Sequence, residues 1–461
     1  IKAVQFQSLI SAIPQSNQFI RKCLDAENAI LLLDGLDELG AAEFENACKY
    51  LSALLKQHPN LRRITTATHH QGSSLLAFDI EPLAVSGWNR QEAKNFTRKW
   101  LSSWNENIAR QGSDQGFQPI DDLIISSWLN DRTIFHTPCE WTFKIWSACS
   151  GNLEGISAND AINAHVKRKL SDADLDALTR IANEMIDQQS AVIAYSQIER
   201  HLSAPTGSTQ GESLVTRWIE DGFLQNHVDD RLSFTSSWLC GYFSSRVDES
   251  PTEQPPDKLD WSIVEAKTQF SLSQQRQAWL SAYLEPVNQP LSPKHLTASR
   301  WLKNCPQINE NKKLIMRSLV QQIQREDWPI MVRMEMLANL ATSNDPSILT
   351  LFRHWLSSES AHLRHLAVLA LGVCQDVNSI ETIAACLNDP VSEVRISACY
   401  ALSILDSIEA QDILKDTLQQ GDELIKHAVA ETLAMQGTPG HDLLKEAATS
   451  DDLLVRRAAV Y

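Results

Sequence analysis

No apolar run in this sequence approaches the ~20 residues that a membrane-spanning helix needs, and no signal peptide is visible. No basic stretch is longer than the pairs Arg62-Arg63 and Arg456-Arg457. With a net charge of −16 and a pI near 5.3, the chain lacks the basic excess needed to grip nucleic acid or an anionic membrane regardless of sequence. The nine cysteines contain no CxxC pair. Scattered among apolar neighbours, they read as small buried hydrophobes in a reducing compartment, so the expected location is cytoplasmic. No GxxxxGK followed by Ser or Thr occurs, so no loop here is of the kind that cradles the β- and γ-phosphates of a nucleotide. An initiator methionine is also missing. The chain starts at Ile1 and stops at Tyr461 within a helical pattern, and it reads as a fragment.

What is present is 461 residues, 43% of them hydrophobic, enough for three or four domains with real cores. The most informative stretch is residues 30–39, Ile-Leu-Leu-Leu-Asp-Gly-Leu-Asp-Glu-Leu. Four aliphatic residues in a row predict a strand buried on both faces, as in a parallel sheet. Ligands of open α/β sheets bind beyond the carboxyl ends of the strands, which is where Asp34 stands. A carboxylate there can supply an oxygen ligand to the Mg²⁺ of a nucleotide. Gly35 permits a sharp turn and leaves room beside a phosphate. Asp37 and Glu38 could orient or polarise a water for attack on a γ-phosphate. The plainer alternative is an acidic loop after a core strand.

This stretch resembles the Walker B segment of NACHT domains, which belong to the STAND class of signal-transduction NTPases. The resemblance implies ATP and Mg as cofactors, with Asp34 as the Mg ligand and Asp37 and Glu38 as the catalytic acids. It also implies that the missing phosphate-binding loop lies N-terminal to residue 1. Residues 41–57 follow as an amphipathic helix, with Phe44, Ala47, Leu51 and Leu54-Leu55 on its apolar face. Residues 62–69 read as a β-branched strand entering a polar loop. They stand where the family has its sensor 1 strand, and Thr68 occupies the place of the usual arginine. A threonine gives at most one hydroxyl bond to a γ-phosphate, which puts fast hydrolysis in doubt. The pair His69-His70 does not face one point and has no nearby acidic or thiol partner to complete a metal site.

A helix is expected from about Asn89, with Glu92 completing a capping box and Ala93, Phe96, Trp100 and Leu101 on its buried face. After a polar stretch over residues 102–120, Pro138 precedes an apolar helix over 141–149. It is either a helix-initiating proline or, by the resemblance, the proline that packs near the adenine. Residues 172–250 resemble the family's winged-helix domain, with Leu175, Leu178, Ile181-Ala182 and Met185 at helical spacing. Ser236 replaces the histidine by which relatives sense the β-phosphate. A Pro-rich acidic stretch over 250–257 marks a boundary.

The last third repeats. Val332-Arg333, Leu363-Arg364, Val394-Arg395, Ile425-Lys426 and Val455-Arg456 head helices spaced by 31, 31, 31 and 30 residues, with partner helices between them. These resemble short HEAT-like repeats, whose small residues let paired helices approach closely. The recurring basic residue is expected to pair with carboxylates or carbonyls of the neighbouring repeat; the functional alternative is a phosphate-binding stripe.

The expected fold is therefore α/β followed by all-α. Residues 1–88 form the C-terminal part of a P-loop NTPase sheet, 89–165 a helical domain and 166–250 a winged-helix-like domain. A helical linker region spans 251–325, and an α-solenoid spans 326–461. The function implied is a nucleotide-controlled sensor or oligomerising switch of the STAND type, related to innate-immune and anti-phage proteins. A protein or other ligand would bind its solenoid, and it would assemble as a homo-oligomer on activation. The alternative is a catalytically degenerate HEAT-repeat scaffold that binds protein partners. A third reading, from bilin lyases with similar repeats, does not account for the Asp-Gly-Leu-Asp-Glu strand end.

Overall fold

The computed structural model describes residues 22–24, 29–67, 74–81, 83, 88, 90–104, 106, 137–149, 158–202, 208–227, 230–246, 261–274, 277–285, 294–302, 305, 309–343, 345–405 and 407–460. The described elements include, in order, strand β1 (Ile30–Leu33), helix α1 (Ala41–Gln57) and strand β2 (Arg62–Thr65). Next come α2 (Arg90–Trp104), α3 (Pro138–Cys149), α4 (Ala158–Lys169), α5 (Asp172–Asp187), β3 (Ile193–Ala194), α6 (Tyr195–Glu199) and α7 (Ser208–Glu220). The hairpin β4 (Leu224–His227) and β5 (Arg231–Phe234) leads into α8 (Ser237–Ser244) and α9 (Ser262–Gln274). The rest is helical: α10 (Lys294–Trp301), α11 (Glu310–Ile323), α12 (Ile330–Ala341), α13 (Pro346–Trp355), α14 (Ala361–Val373), α15 (Ile380–Ala385) and α16 (Ser392–Ile404). It ends with α17 (Ile408–Gln420), α18 (Glu423–Met435), α19 (Thr438–Ala447) and α20 (Leu453–Val460). Two compact units result, residues 1–87 with 152–279 and residues 88–151 with 280–461. Among the described residues, no helix is long and apolar enough to cross a membrane.

In the first unit, β1 and β2 pair in parallel, Ile30 opposite Arg62 and Leu33 opposite Thr65. Parallel neighbours need a crossover, and α1 supplies it over the residues that the apolar spacing predicts. The expected P-loop sheet is not found: only two parallel strands occur among the described residues. Nor is β1 buried on both faces. Ile30 and Leu32 are 54% and 70% exposed, and Ile64 of β2 is 60% exposed. A four-residue aliphatic run records what a strand can bury, not how many layers reach it.

From α5 to β5 this unit runs helix, strand, helix, helix, hairpin. The sheet of this stretch is antiparallel in the order β3-β5-β4. Ser171 caps α5 in a reciprocal pair with Asp174. Leu175, Leu178, Ile181, Ala182 and Met185 are all buried, as their helical spacing predicts. The Asp174 carboxylate accepts from Arg217 Nη2 at 2.5 Å and from Trp218 Nε1 at 3.1 Å, which ties α5 to α7. Tyr242 and Phe243 on α8 pack against Phe270, Phe223 and Phe234, so α8 joins the hairpin to α9.

In the second unit, α2 and α3 share a tryptophan-rich core of Trp104, Trp141, Ile145 and Cys149, with Phe96, Trp100 and Leu101 packed against it. Helices α12 to α20 form the repeat array. Equivalent positions meet across repeats: Tyr400 Oη donates to Glu431 at 3.0 Å, 31 residues away. Gly372 shows how closely they approach, since a Cβ there would lie 2.8 Å from Ala401 Cα. The expected linker region divides, with α9 in the first unit and α10 and α11 in the second. These two helices pack on α12 through Arg300–Glu335 (2.8 Å), Asn339–Ser299 (2.9 Å) and Lys312 Nζ to the Ser343 carbonyl (2.6 Å).

Six of the nine cysteines are buried. Burial pushes the Cys149 thiol up to about 11 and those of Cys305, Cys374 and Cys399 up to about 12, so they pack as hydrophobes rather than react.

Candidate functional site

The acidic turn after β1 is the first candidate. Gly35 adopts φ 74°, ψ 23°, a left-handed conformation that a side chain would resist. Residues Leu36–Glu38 then make one 3-10 turn. The Asp34 carboxylate accepts from Gly35 N–H at 2.9 Å and from the Thr66 hydroxyl at 2.5 Å, joining the carboxyl ends of both parallel strands. Asp34 is exposed, and Asp37 and Glu38 are half-buried.

This turn is held by residues far away in sequence. Ser262 Oγ donates to the Asp37 carbonyl at 2.8 Å, and Trp261 Nε1 donates to the Glu38 carbonyl at 3.1 Å. Gly40 lies against the Gln189 carbonyl, which a Cβ would approach to 2.6 Å. Behind the turn is a cavity of about 10 Å³ lined by Glu38, Ser233, Ser236 and Ser237, room for about one water. A nucleotide does not fit there. Ser236 serves as the N-cap of α8, its hydroxyl accepting from Leu239 N–H at 3.2 Å.

The structure thus brings Asp34, Gly35, Asp37 and Glu38 together in one turn. Thr68, His69 and His70 lie outside the described residues. Pro138 is the first residue of α3 in the second unit, where Thr137 and Glu140 exchange capping bonds at 2.6 and 3.3 Å. No group of three or more His, Cys, Asp or Glu side chains able to hold a metal ion occurs among the described residues. Sequence reasoning missed Thr66, Trp261 and Ser262. Thr66 had a legible signal, as a hydroxyl at the end of the neighbouring strand. The other two had none, lying 223 and 225 residues from their partners.

The second candidate is the row of ladder helices α12, α14, α16, α18 and α20. Every recurring cation is committed internally. Arg333 Nε donates to the Ile323 carbonyl at 2.7 Å. Arg364 grips Asp389 in bidentate fashion at 2.7 and 2.9 Å and also reaches the carbonyls of Ser358 and Glu359. Arg395 pairs with Asp422 at 3.3 Å and Lys426 with Asp452 at 3.4 Å. Arg456 binds the carbonyls of Ser450 and Asp451 at 2.6 and 3.0 Å. Arg364, Arg395 and Lys426 therefore each tie one repeat to the next, and the ladder leaves no stripe of free cations for phosphates.

An open groove of about 940 Å³ is lined by His427, Ala448, Arg456, Arg457 and Val460. Arg457 faces Glu423 across 3.7 Å.

Comparison with known proteins matches a HEAT-repeat family model to residues 316–403, 363–434 and 380–461. The C-terminal region consists of HEAT repeats, a class that commonly mediates protein interactions. No protein of curated function matches the chain. A crystal structure of an engineered protein aligns over 74% of this chain and 98% of its own, at 16% identity and a TM-score of 0.26, too low to carry an argument.

Proposed function

We propose that this chain is a HEAT-repeat scaffold that binds a protein partner along its repeat array. The observation that carries the reading is the ladder: its cations are consumed in stacking the repeats, which leaves the helix surfaces as the means of recognition. The nine free thiols suit a reducing cytoplasm. The test uses a partner recovered with the full chain, purified and titrated calorimetrically. The double substitution Asp34→Ala, Glu38→Ala should leave the Kd unchanged; a loss of binding counts against the scaffold reading.

A second reading is favoured by the acidic turn. Asp34 stands at the carboxyl end of a parallel β-α-β unit, and the turn beyond it is clamped by Trp261 and Ser262. Under this reading the helix-strand-helix-helix-hairpin portion acts as a winged-helix domain. Asp34 would hold Mg, Asp37 and Glu38 would orient water, and ATP would bias a sensor of the STAND type toward assembly. A thermal shift with Mg-ATP that disappears in Asp34→Ala supports it. No shift in the wild-type chain removes it.

A further inference from the structure

The ladder residues give the repeats a common numbering, and three positions relative to each of them share one helix face. Two before the ladder residue stand Met331, His362, Glu393 and Leu424; five after it stand Ala338, Leu369, Tyr400 and Glu431; nine after it stand Thr342, Val373, Ile404 and Met435. Steps of seven and then four residues keep the three on one stripe of each helix. Met331 and Met435 are both 71% exposed, and Leu424 and Ile404 are 45% and 42% exposed. Most exposed large hydrophobics of the array lie on the ladder helices, and the partner helices contribute Ile408.

The charge on this stripe has one sign. It carries Glu393 and Glu431 and no Lys or Arg. Residues 330–461 contain nine Lys and Arg against eighteen Asp and Glu, a net charge of −9. Each of the nine cations already has a partner: besides the ladder, Arg353 pairs with Asp376, Lys415 with Glu446, Lys445 with Asp442 and Arg457 with Glu423. By contrast, Glu359, Glu381, Glu409, Asp412 and Asp416 make no ion pair among the described residues. An anionic partner would meet only negative charge, whereas a cationic one meets carboxylates interleaved with exposed Met, Leu and Ile.

We propose that the ladder helices bind a basic amphipathic helix, its apolar stripe on Leu424, Met435, Ile404 and Met331 and its Lys or Arg side chains toward Glu393 and Glu431. This rests on the scaffold reading and names the partner's chemistry. The spacing supports a helix. Packed helices lie about 8–10 Å apart, and residues two turns apart on a partner helix are about 10 Å apart. Successive ladder helices would thus meet every seventh residue of the partner. Four ladder helices correspond to a segment of roughly 20 residues.

The test is fluorescence anisotropy of the full chain with two labelled helical peptides that share a Leu stripe, one with Lys and the other with Glu on its flanks. The Leu/Lys peptide should bind, and the Leu/Glu peptide should bind at least tenfold more weakly. Leu424→Asp with Met435→Asp should weaken Leu/Lys binding tenfold or more with an unchanged circular dichroism spectrum, and Glu431→Lys should narrow the preference between the peptides. If Ile408→Asp and Asp416→Lys on α17 abolish binding instead, the scaffold reading stands and this surface is wrong. Equal binding of both peptides, or tighter binding of a duplex DNA than of either, overturns the proposal. If the chain binds neither peptide yet binds its recovered partner, the partner chemistry is wrong; if it binds nothing, the scaffold reading falls too.

Discussion

Removing the carboxylate of Asp389 should cost more than removing that of any other ladder acid. Asp389 receives two hydrogen bonds from Arg364, at 2.7 and 2.9 Å, and one from Val391 N–H at 2.9 Å at the start of α16. The two side chains are only 14% and 8% exposed. Hydrogen bonds to charged groups are worth about 1.5–3 kcal/mol each. Arg364 keeps the carbonyls of Ser358 and Glu359, which limits the penalty for leaving it unpaired. The expected loss for Asp389→Ala is about 3 kcal/mol. Asp422 is the control. Its contact with Arg395 is 3.3 Å and it is 55% exposed, so its ion pair is worth at most about 1 kcal/mol and its cap on α18 about as much again. Amide hydrogen exchange of the full chain reads the opening free energies of α14, α16 and α18 separately. If Asp389→Ala costs no more than Asp422→Ala, the ladder is not what couples the repeats. The pH dependence provides a second check. The Arg364 hydrogen bond holds the Asp389 carboxyl below its usual value, so this stability is present above about pH 4 and is lost as pH falls through the folded pKa. Asp389→Ala should remove that part of the slope.

Burial beside Arg168 and Lys169 pushes the imidazole of His165 down to about 4. Stability from keeping it neutral is full above its unfolded pKa near 6.5 and falls by roughly 3 kcal/mol as pH drops toward the folded value. His165→Phe keeps the ring against Phe223 and should flatten a plot of Tm against pH between those limits. Gly372→Ala should destabilise by roughly 1–2 kcal/mol in urea denaturation: the new methyl meets Ala401 below 3.0 Å, and this overpacking outweighs the helix-propensity gain of about 1 kcal/mol. Trp261→Phe removes the bond to the Glu38 carbonyl and should raise amide exchange at residues 35–40 with little change in the repeat helices.

Legibility in the sequence followed the range of the interactions. The repeats were readable because the same cation-to-carboxylate contact recurs along the array, Arg364 to Asp389, Arg395 to Asp422 and Lys426 to Asp452, so one periodic pattern encodes both local helix and long-range neighbour. Helices α1 and α5 were readable because one face of each carries the apolar residues. Alpha10 and α11 were not recognised as companions of α12, because their link to it runs through the single bonds of Arg300, Lys312 and Ser299 rather than a repeated motif. The turn at Asp34–Glu38 was found as a motif, but its clamp at Trp261 and Ser262 was not, since hydrogen bonds to backbone carbonyls leave no mark on the identity of the acceptor residue. The burial of β1 was misjudged because strand composition does not count the layers around it.

Hydrogen exchange of the full chain with and without its purified partner tests the central claim most directly. Protection should concentrate on α12, α14, α16 and α18 and leave residues 30–40 unchanged. Protection that centres on residues 30–40 with the repeats unaffected would contradict the account.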